Sequence, residues 1–196
     1  MNDQLNFRPA VSLLRRTSAL AVAAVAAVAL GACGHKQSNP TTADTEGPYV
    51  RAGDISYQVQ LSRQLNPYAT EDRAYFAGTS AGAAGSDQMW FAVFLWAKNE
   101  THRTLTTSNS FALVDTQGNR YYPVAIKRAV NPFAWRAQTL RPLGTEPAPD
   151  SAASFGPTQG SLLLFKLSNT VYANRPLTFE IHAPGQAQPS SISLDL

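Results

Sequence analysis

The chain has 196 residues, 44% of them hydrophobic and 10% aromatic, enough apolar material for one core of ordinary size. Its single cysteine, Cys33, excludes an internal disulfide framework. A net charge of +3, with no basic run interleaved with aromatics, argues against a nucleic-acid partner.

The N-terminal segment carries the sharpest signal. Arg8, Arg15 and Arg16 form a basic stretch, and Ser18 to Leu30 is uncharged and apolar. This apolar run of 13 residues is short for a spanning helix, which needs roughly 20. Basic, then apolar, then small residues is the order of an export signal, here residues 1–32. Leu30-Gly31-Ala32-Cys33 resembles a bacterial lipobox, with Leu30 at the aliphatic position, Gly31 and Ala32 at the small positions, and Cys33 at the modified one. The resemblance implies that the Cys33 thiol takes a diacylglycerol before cleavage, so that the lipid anchors the chain to a membrane outside the cytoplasm. Two acyl chains hold stably, since each buried methylene contributes about 0.8 kcal/mol. An ordinary cleaved signal and an uncleaved anchor helix are the alternatives. Gly34 after Cys33 suits outer-membrane sorting in a two-membrane cell; in a one-membrane cell the protein stays on the outer leaflet.

Removing Arg8, Arg15, Arg16 and Asp3 with the leader leaves 13 basic against 12 acidic residues, so the positive balance largely disappears. Residues 33–48 contain no large apolar side chain and read as a lipidated, disordered tether. From Tyr49 to residue 196 the pattern is that of a strand-built domain. Ile55, Tyr57, Val59 and Leu61 alternate with polar residues, the period of a half-buried strand. Residues 63–87 break that period and read as a long loop, with a short strand at Tyr75 and Phe76. Met89 to Ala97 is apolar on both faces and predicts a central strand covered on both sides. Residues 110–126 predict a hairpin about the Thr116-Gln117-Gly118-Asn119 turn.

The proline-rich residues 127–157 argue against a regular central element. Ser161 to Leu167 predicts a buried strand, and Leu177, Phe179 and Ile181, then Ile192, Leu194 and Leu196, alternate again. About seven short strands without a convincing amphipathic helix predict an all-β fold, an antiparallel β-sandwich.

The stretch from Met89 to Val124 resembles the core of an uncharacterised immunoglobulin-like domain family common in Gram-positive lipoproteins and related to a secreted immunoprotective antigen. Asn99, Phe111, Leu113, Asp115, Gly118 and Tyr121 occupy its pattern of polar strand end, Phe-x-Leu-x-Asp-x-x-Gly and aromatic. The likeness covers roughly residues 54 to 182 and is tight in the middle third. It departs in the long loop of residues 63–87, and where an extended segment up to Gly160 replaces a short turn. The resemblance implies an immunoglobulin-like sandwich outside the cell, with no active site to transfer.

The sequence offers little catalytic chemistry. His35, His102 and His182 lie far apart, none with a second ligand at metal spacing. Glu71 and Asp72 are adjacent, which does not aim two acids at one substrate. No nucleophile elbow, phosphate loop or zinc-protease motif is present, and no cofactor is expected. Phe133 and Trp135, in the proline-rich region, are the candidates for a partner-binding loop that would contact an envelope protein or polymer. Two function classes follow. The favoured one is a membrane-anchored, non-catalytic binding or structural module of the cell envelope. The other is an extracytoplasmic enzyme or metal carrier with a site built from dispersed loop residues.

Overall fold

A computed structural model of the chain describes residues 39–195. Two sheets face each other. The first runs β1 (Thr42–Ala43), β12 (Ser190–Leu194), β11 (Leu177–Ile181), β6 (Phe111–Val114), β7 (Arg120–Tyr121) in spatial order. The second runs β10 (Ser161–Ser168), β4 (Gln88–Lys98), β3 (Ile55–Leu65), β2 (Tyr49–Ala52), and β9 (Thr145–Glu146) pairs with the end of β4 beside β10. All pairings in the two sheets are antiparallel except β1 with β12. A small ribbon, β5 (Leu105–Thr106) with β8 (Thr139–Leu140), closes one end.

The main core lies between the sheets, where Tyr57, Phe91, Val93, Leu95 and Phe165 meet Leu113, Phe179, Ile181 and Ile192. Alternation in β11 and β12 puts their apolar residues on this inner face, as expected. The other face of the second sheet carries its own cluster, in which Leu65, Trp90, Phe94, Leu162 and Leu164 are covered by Tyr75, Phe76, Val124, Ile126 and Phe133. The central strand β4 is therefore buried on both faces, which is why its sequence is an unbroken apolar run.

Two features depart from the strand periodicity. The pairing of β3 with β4 slips between Val59 and Leu61, leaving Gln60 as the extra residue of a bulge. The slip exchanges faces. Val59 looks into the main core, Leu65 joins Trp90 on the outer face, and Leu61, expected inward, is 38% exposed. The second departure is at Tyr75 and Phe76, which lie in a 3₁₀ turn (Arg73–Phe76) rather than a strand. Asp72, buried just before it, accepts hydrogen bonds from Arg63 Nη2 at 2.5 Å and the Asn66 N–H at 2.8 Å, and so closes the loop upon itself.

Residues 39–48, expected to be part of the tether, are docked instead. The Pro40 carbonyl accepts from the Arg51 N–H of β2 at 2.7 Å, and the Thr41 carbonyl from the Ser191 N–H of β12 at 2.9 Å. The segment thus bridges the edges of both sheets. Further on, the Glu46 carboxylate accepts from the Ser62 N–H and hydroxyl, and the Gly47 N–H donates to the Val59 carbonyl at 3.1 Å. Composition misleads here because exposed strand edges need hydrogen-bond partners, which a polar chain supplies without burying apolar surface.

Candidate functional site

Cys33, the expected lipid anchor, lies outside the described residues, as do the export signal and the tether as far as Ser38. The described part offers a groove on the flank of the sandwich. Its floor follows from an edge problem, since β10 is paired with β4 on one side only. Two irregular segments partner its other side. The Val124 N–H donates to the Leu164 carbonyl at 2.8 Å; the Trp135 N–H donates to the Leu162 carbonyl at 2.9 Å, and the Leu162 N–H to the Phe133 carbonyl at 2.7 Å. A groove of about 510 Å³ opens between these segments and the start of β6, lined by Phe111, Tyr122, Val124, Ile126, Arg128, Trp135 and Leu163 among others. Tyr122 is 64% exposed on its rim. Arg128, also exposed, makes no ion pair with a described residue. Aromatic surface beside an unpaired guanidinium is a binding chemistry, able to stack on and hydrogen-bond to a polar or anionic ligand.

The proposed loop pair does not form a free surface. Trp135 is only 4% exposed. Its indole Nε1 donates to the Ser108 carbonyl at 3.1 Å, and its ring meets Phe111 edge-on at 5.4 Å. Phe133 is half-buried and packs edge-on against Tyr75 at 5.1 Å. A large aromatic in an irregular segment gains more by filling the core than by facing water. Trp135 still lines the groove, together with Tyr122 and Arg128, which the sequence alone did not single out. Nothing in their local sequence marks them, because the groove is assembled across chain-distant segments.

The other candidates are scattered. His102 is exposed in the loop after β4. His182 lies 3.0 Å from Glu180, whose carboxylate also receives Arg120 at 2.7 and 3.2 Å on the exterior of the first sheet. Glu71 is exposed whereas Asp72 is buried against Arg63, so the adjacent acids occupy separate environments. Among the described residues no three His, Cys, Asp or Glu side chains come together to hold a metal ion. No helix among them is long and apolar enough to cross a membrane.

Several polar groups inside the domain are perturbed, each for a structural reason. Burial pushes the Tyr57 phenol up to about 12, while its oxygen accepts the Ser108 N–H at 2.7 Å. Burial also raises the Glu146 carboxyl, only partly offset by hydrogen bonds from Ser161, the Arg136 backbone and Gln138 and by the Arg136 charge. Glu146 joins β9 to β10 through Ser161 Oγ at 2.7 Å and to the chain before it through Gln138. With its oxygens directed at these donors, it serves to position strands.

The motif residues take structural roles as well. Asn99 is fully buried, and its Nδ2 donates to the carbonyls of Arg103 at 2.6 Å and of Leu140 and Arg141 at 3.1 Å. Asp115 accepts from Gln117, Asn119 and Asn174, closing the turn after β6 in which Gly118 takes φ +83°.

No family model and no curated protein matches the sequence. Among solved structures, the yjhA protein from Bacillus subtilis is similar at a TM-score of 0.52 with 12% identity, over 78% of this chain and 99% of that one. An uncharacterised β-sandwich protein from Clostridium difficile (TM-score 0.42, 11% identity, 82% of this chain and 97% of the other) is more distant. So is a conserved hypothetical protein from Bacillus anthracis (TM-score 0.41, 8% identity, 72% and 91%). At 12% identity the property shared with the yjhA protein is the fold alone. The described domain is a β-sandwich by its own two facing sheets.

Proposed function

We propose that the protein is an acylated lipoprotein, held outside the cytoplasm by a lipid on Cys33, whose immunoglobulin-like sandwich is a non-catalytic binding module of the cell envelope. The observation that carries the binding role is the groove beside β10, with the exposed ring of Tyr122 and the unpaired Arg128 on its wall. Its partner is an envelope protein or polymer with a polar or anionic segment that can lie in the groove. The anchor is supported by the Leu30-Gly31-Ala32-Cys33 motif behind a basic and apolar leader. The immunoglobulin-like assignment is supported by Asn99, Asp115 and Gly118, which close the strand ends and turn that the family pattern marks.

Two experiments test the two halves. Replacement Cys33→Ser should release the protein from the membrane fraction and leave a larger precursor; unchanged fractionation and size refute the anchor. A photocrosslinking residue at position 122 of the full chain should give a discrete envelope adduct that Arg128→Ala weakens several-fold. No adduct, or one indifferent to Arg128, refutes the groove as the binding surface.

A further inference from the structure

The docked segment changes the distance at which a lipid on Cys33 would hold the domain. The chain is fixed from Asn39 onward, because Asn39 Nδ2 donates to Ser56 Oγ at 2.8 Å and to Glu100 at 3.4 Å, and Pro40 is held by Arg51. Six Cα–Cα steps separate Cys33 from Asn39, a reach of at most about 21 Å when fully extended. The strand β3, which begins beside this point and has 11 residues, is itself roughly 35 Å long. The leash is shorter than the domain, which keeps the end bearing Asn39 within about 21 Å of the lipid and limits how far the rest can swing.

That end carries an unusual tip. The turn after β8 presents Arg141, Pro142 and Leu143 to solvent, with Leu143 72% exposed. Leu143 is the one non-glycine described residue at positive φ, 61°, a conformation strained for a leucine. No packing within the domain offsets that strain, yet the turn is held firmly. The Leu143 N–H donates to the Asn99 carbonyl and the Asn99 N–H to the Gly144 carbonyl, both at 2.9 Å, while the Asn99 amide grips Leu140 and Arg141. Asn99 directly precedes Glu100, which receives Asn39. The strained tip and the chain's point of departure are thus anchored to consecutive residues at the end of β4.

We infer that this end of the sandwich lies on the membrane, with the Leu143 side chain entering the lipid headgroup layer and Arg141 facing its phosphates. The inference rests on the acylation of Cys33 proposed above. A rigid turn that offers one apolar side chain beside a guanidinium has the chemistry of an interfacial contact, in which the apolar group inserts and the cation stays among the headgroups. The lipid supplies the attachment, and the tip sets the orientation, which turns the groove beside β10 sideways toward neighbouring envelope components.

The test uses the full acylated chain, in which the native sulfur is already blocked. Leu143→Cys and, as control at the far end of β3, the 85% exposed Tyr68→Cys are each labelled with an environment-sensitive fluorophore. The proteins are reconstituted on phosphatidylethanolamine–phosphatidylglycerol vesicles carrying a headgroup quencher. The probe at 143 should shift to the blue and be quenched several-fold more than the probe at 68. Equal quenching at both sites, or stronger quenching at 68, in protein that floats with the vesicles overturns the orientation alone. Protein that fails to float overturns the acylation and the orientation with it.

Discussion

Replacing Asn99 by alanine tests whether the end of β4 is organised as described. The amide is fully buried; its two N–H donors are shared among the carbonyls of Arg103, Leu140 and Arg141, and its oxygen accepts from the Thr101 N–H and hydroxyl at 3.0 and 2.8 Å. Alanine removes every one of these contacts. Arg103 is exposed, so its carbonyl recovers water at little cost, but the Leu140 carbonyl is buried beside the vacated space. Counting about 2 kcal/mol for that unsatisfied carbonyl, and about 1 kcal/mol for the loss at Arg141 and again at Thr101, gives roughly 4 kcal/mol. Against a total of about 5–15 kcal/mol, this is a large fraction of the stability.

In urea, with a slope of about 2 kcal/mol per M, the midpoint should fall by about 2 M, read by tryptophan fluorescence on the full chain. At roughly 2–4 °C per kcal/mol for a domain of this size, Tm should drop by about 8–16 °C. Hydrogen exchange should accelerate first at residues 101–103 and 141–144, which lose the Asn99 side chain and keep only its backbone bonds, before the core strands are affected. Asn99→Asp should do no better, because it keeps the acceptor, loses the donors and buries a charge. A loss below about 1 kcal/mol, or exchange unchanged at 141–144, would refute the reasoning, since that turn would then be held without the Asn99 side chain.

Gly160→Ala should destabilise by more than about 2 kcal/mol, measured by thermal unfolding. Gly160 sits at φ +112°, and a Cβ there would meet backbone atoms of the central strand, Phe94 C at 2.9 Å and Leu95 N at 3.0 Å; a neutral result would show that β4 can yield. Stability should rise and then fall with increasing pH. The Asp115 carboxyl is pushed up by burial but pulled below its ordinary 3.8 by Asn119, Asn174 and Gln117, so its contribution, present above that value, is lost as pH falls through the folded one. The Glu146 carboxyl is raised by burial, so its contribution is present below 4.5 and is lost as pH rises through its folded value. In urea midpoints against pH, Asp115→Asn should flatten the acid limb and Glu146→Gln the decline above it; an unchanged profile in either variant refutes that attribution.

The parts of this fold that were legible in the sequence share one physical property, a side chain whose burial follows from its position in a regular repeat. β4 could be read because both faces are covered, which demands an unbroken apolar run, and β11 and β12 because one face is covered, which demands alternation. Leu61 was misread because the bulge at Gln60 inverts the faces without altering residue types, so periodicity continues across a register change it cannot reveal. The burial of Trp135 was illegible for the opposite reason. It lies in a segment with no repeat, and the core holds it through an indole hydrogen bond to Ser108 that sequence spacing does not encode.

The segment of residues 39–48 shows the same limit more sharply, and here the consequence is functional. Disorder was inferred from the lack of large apolar groups, on the premise that a chain orders only by burying them. Strand edges supply another route. Backbone groups of β2 and β12 that would otherwise face solvent are partnered by Pro40 and Thr41, and Ser62 is partnered by Glu46. That route depends on where the edges lie in three dimensions, and no local pattern announces it. With ten residues ordered, only six Cα–Cα steps separate Cys33 from the first described residue, at most about 21 Å. A lipid on that thiol would therefore hold the edges of β2 and β12 at a limited height, a constraint set by backbone pairing and not by composition.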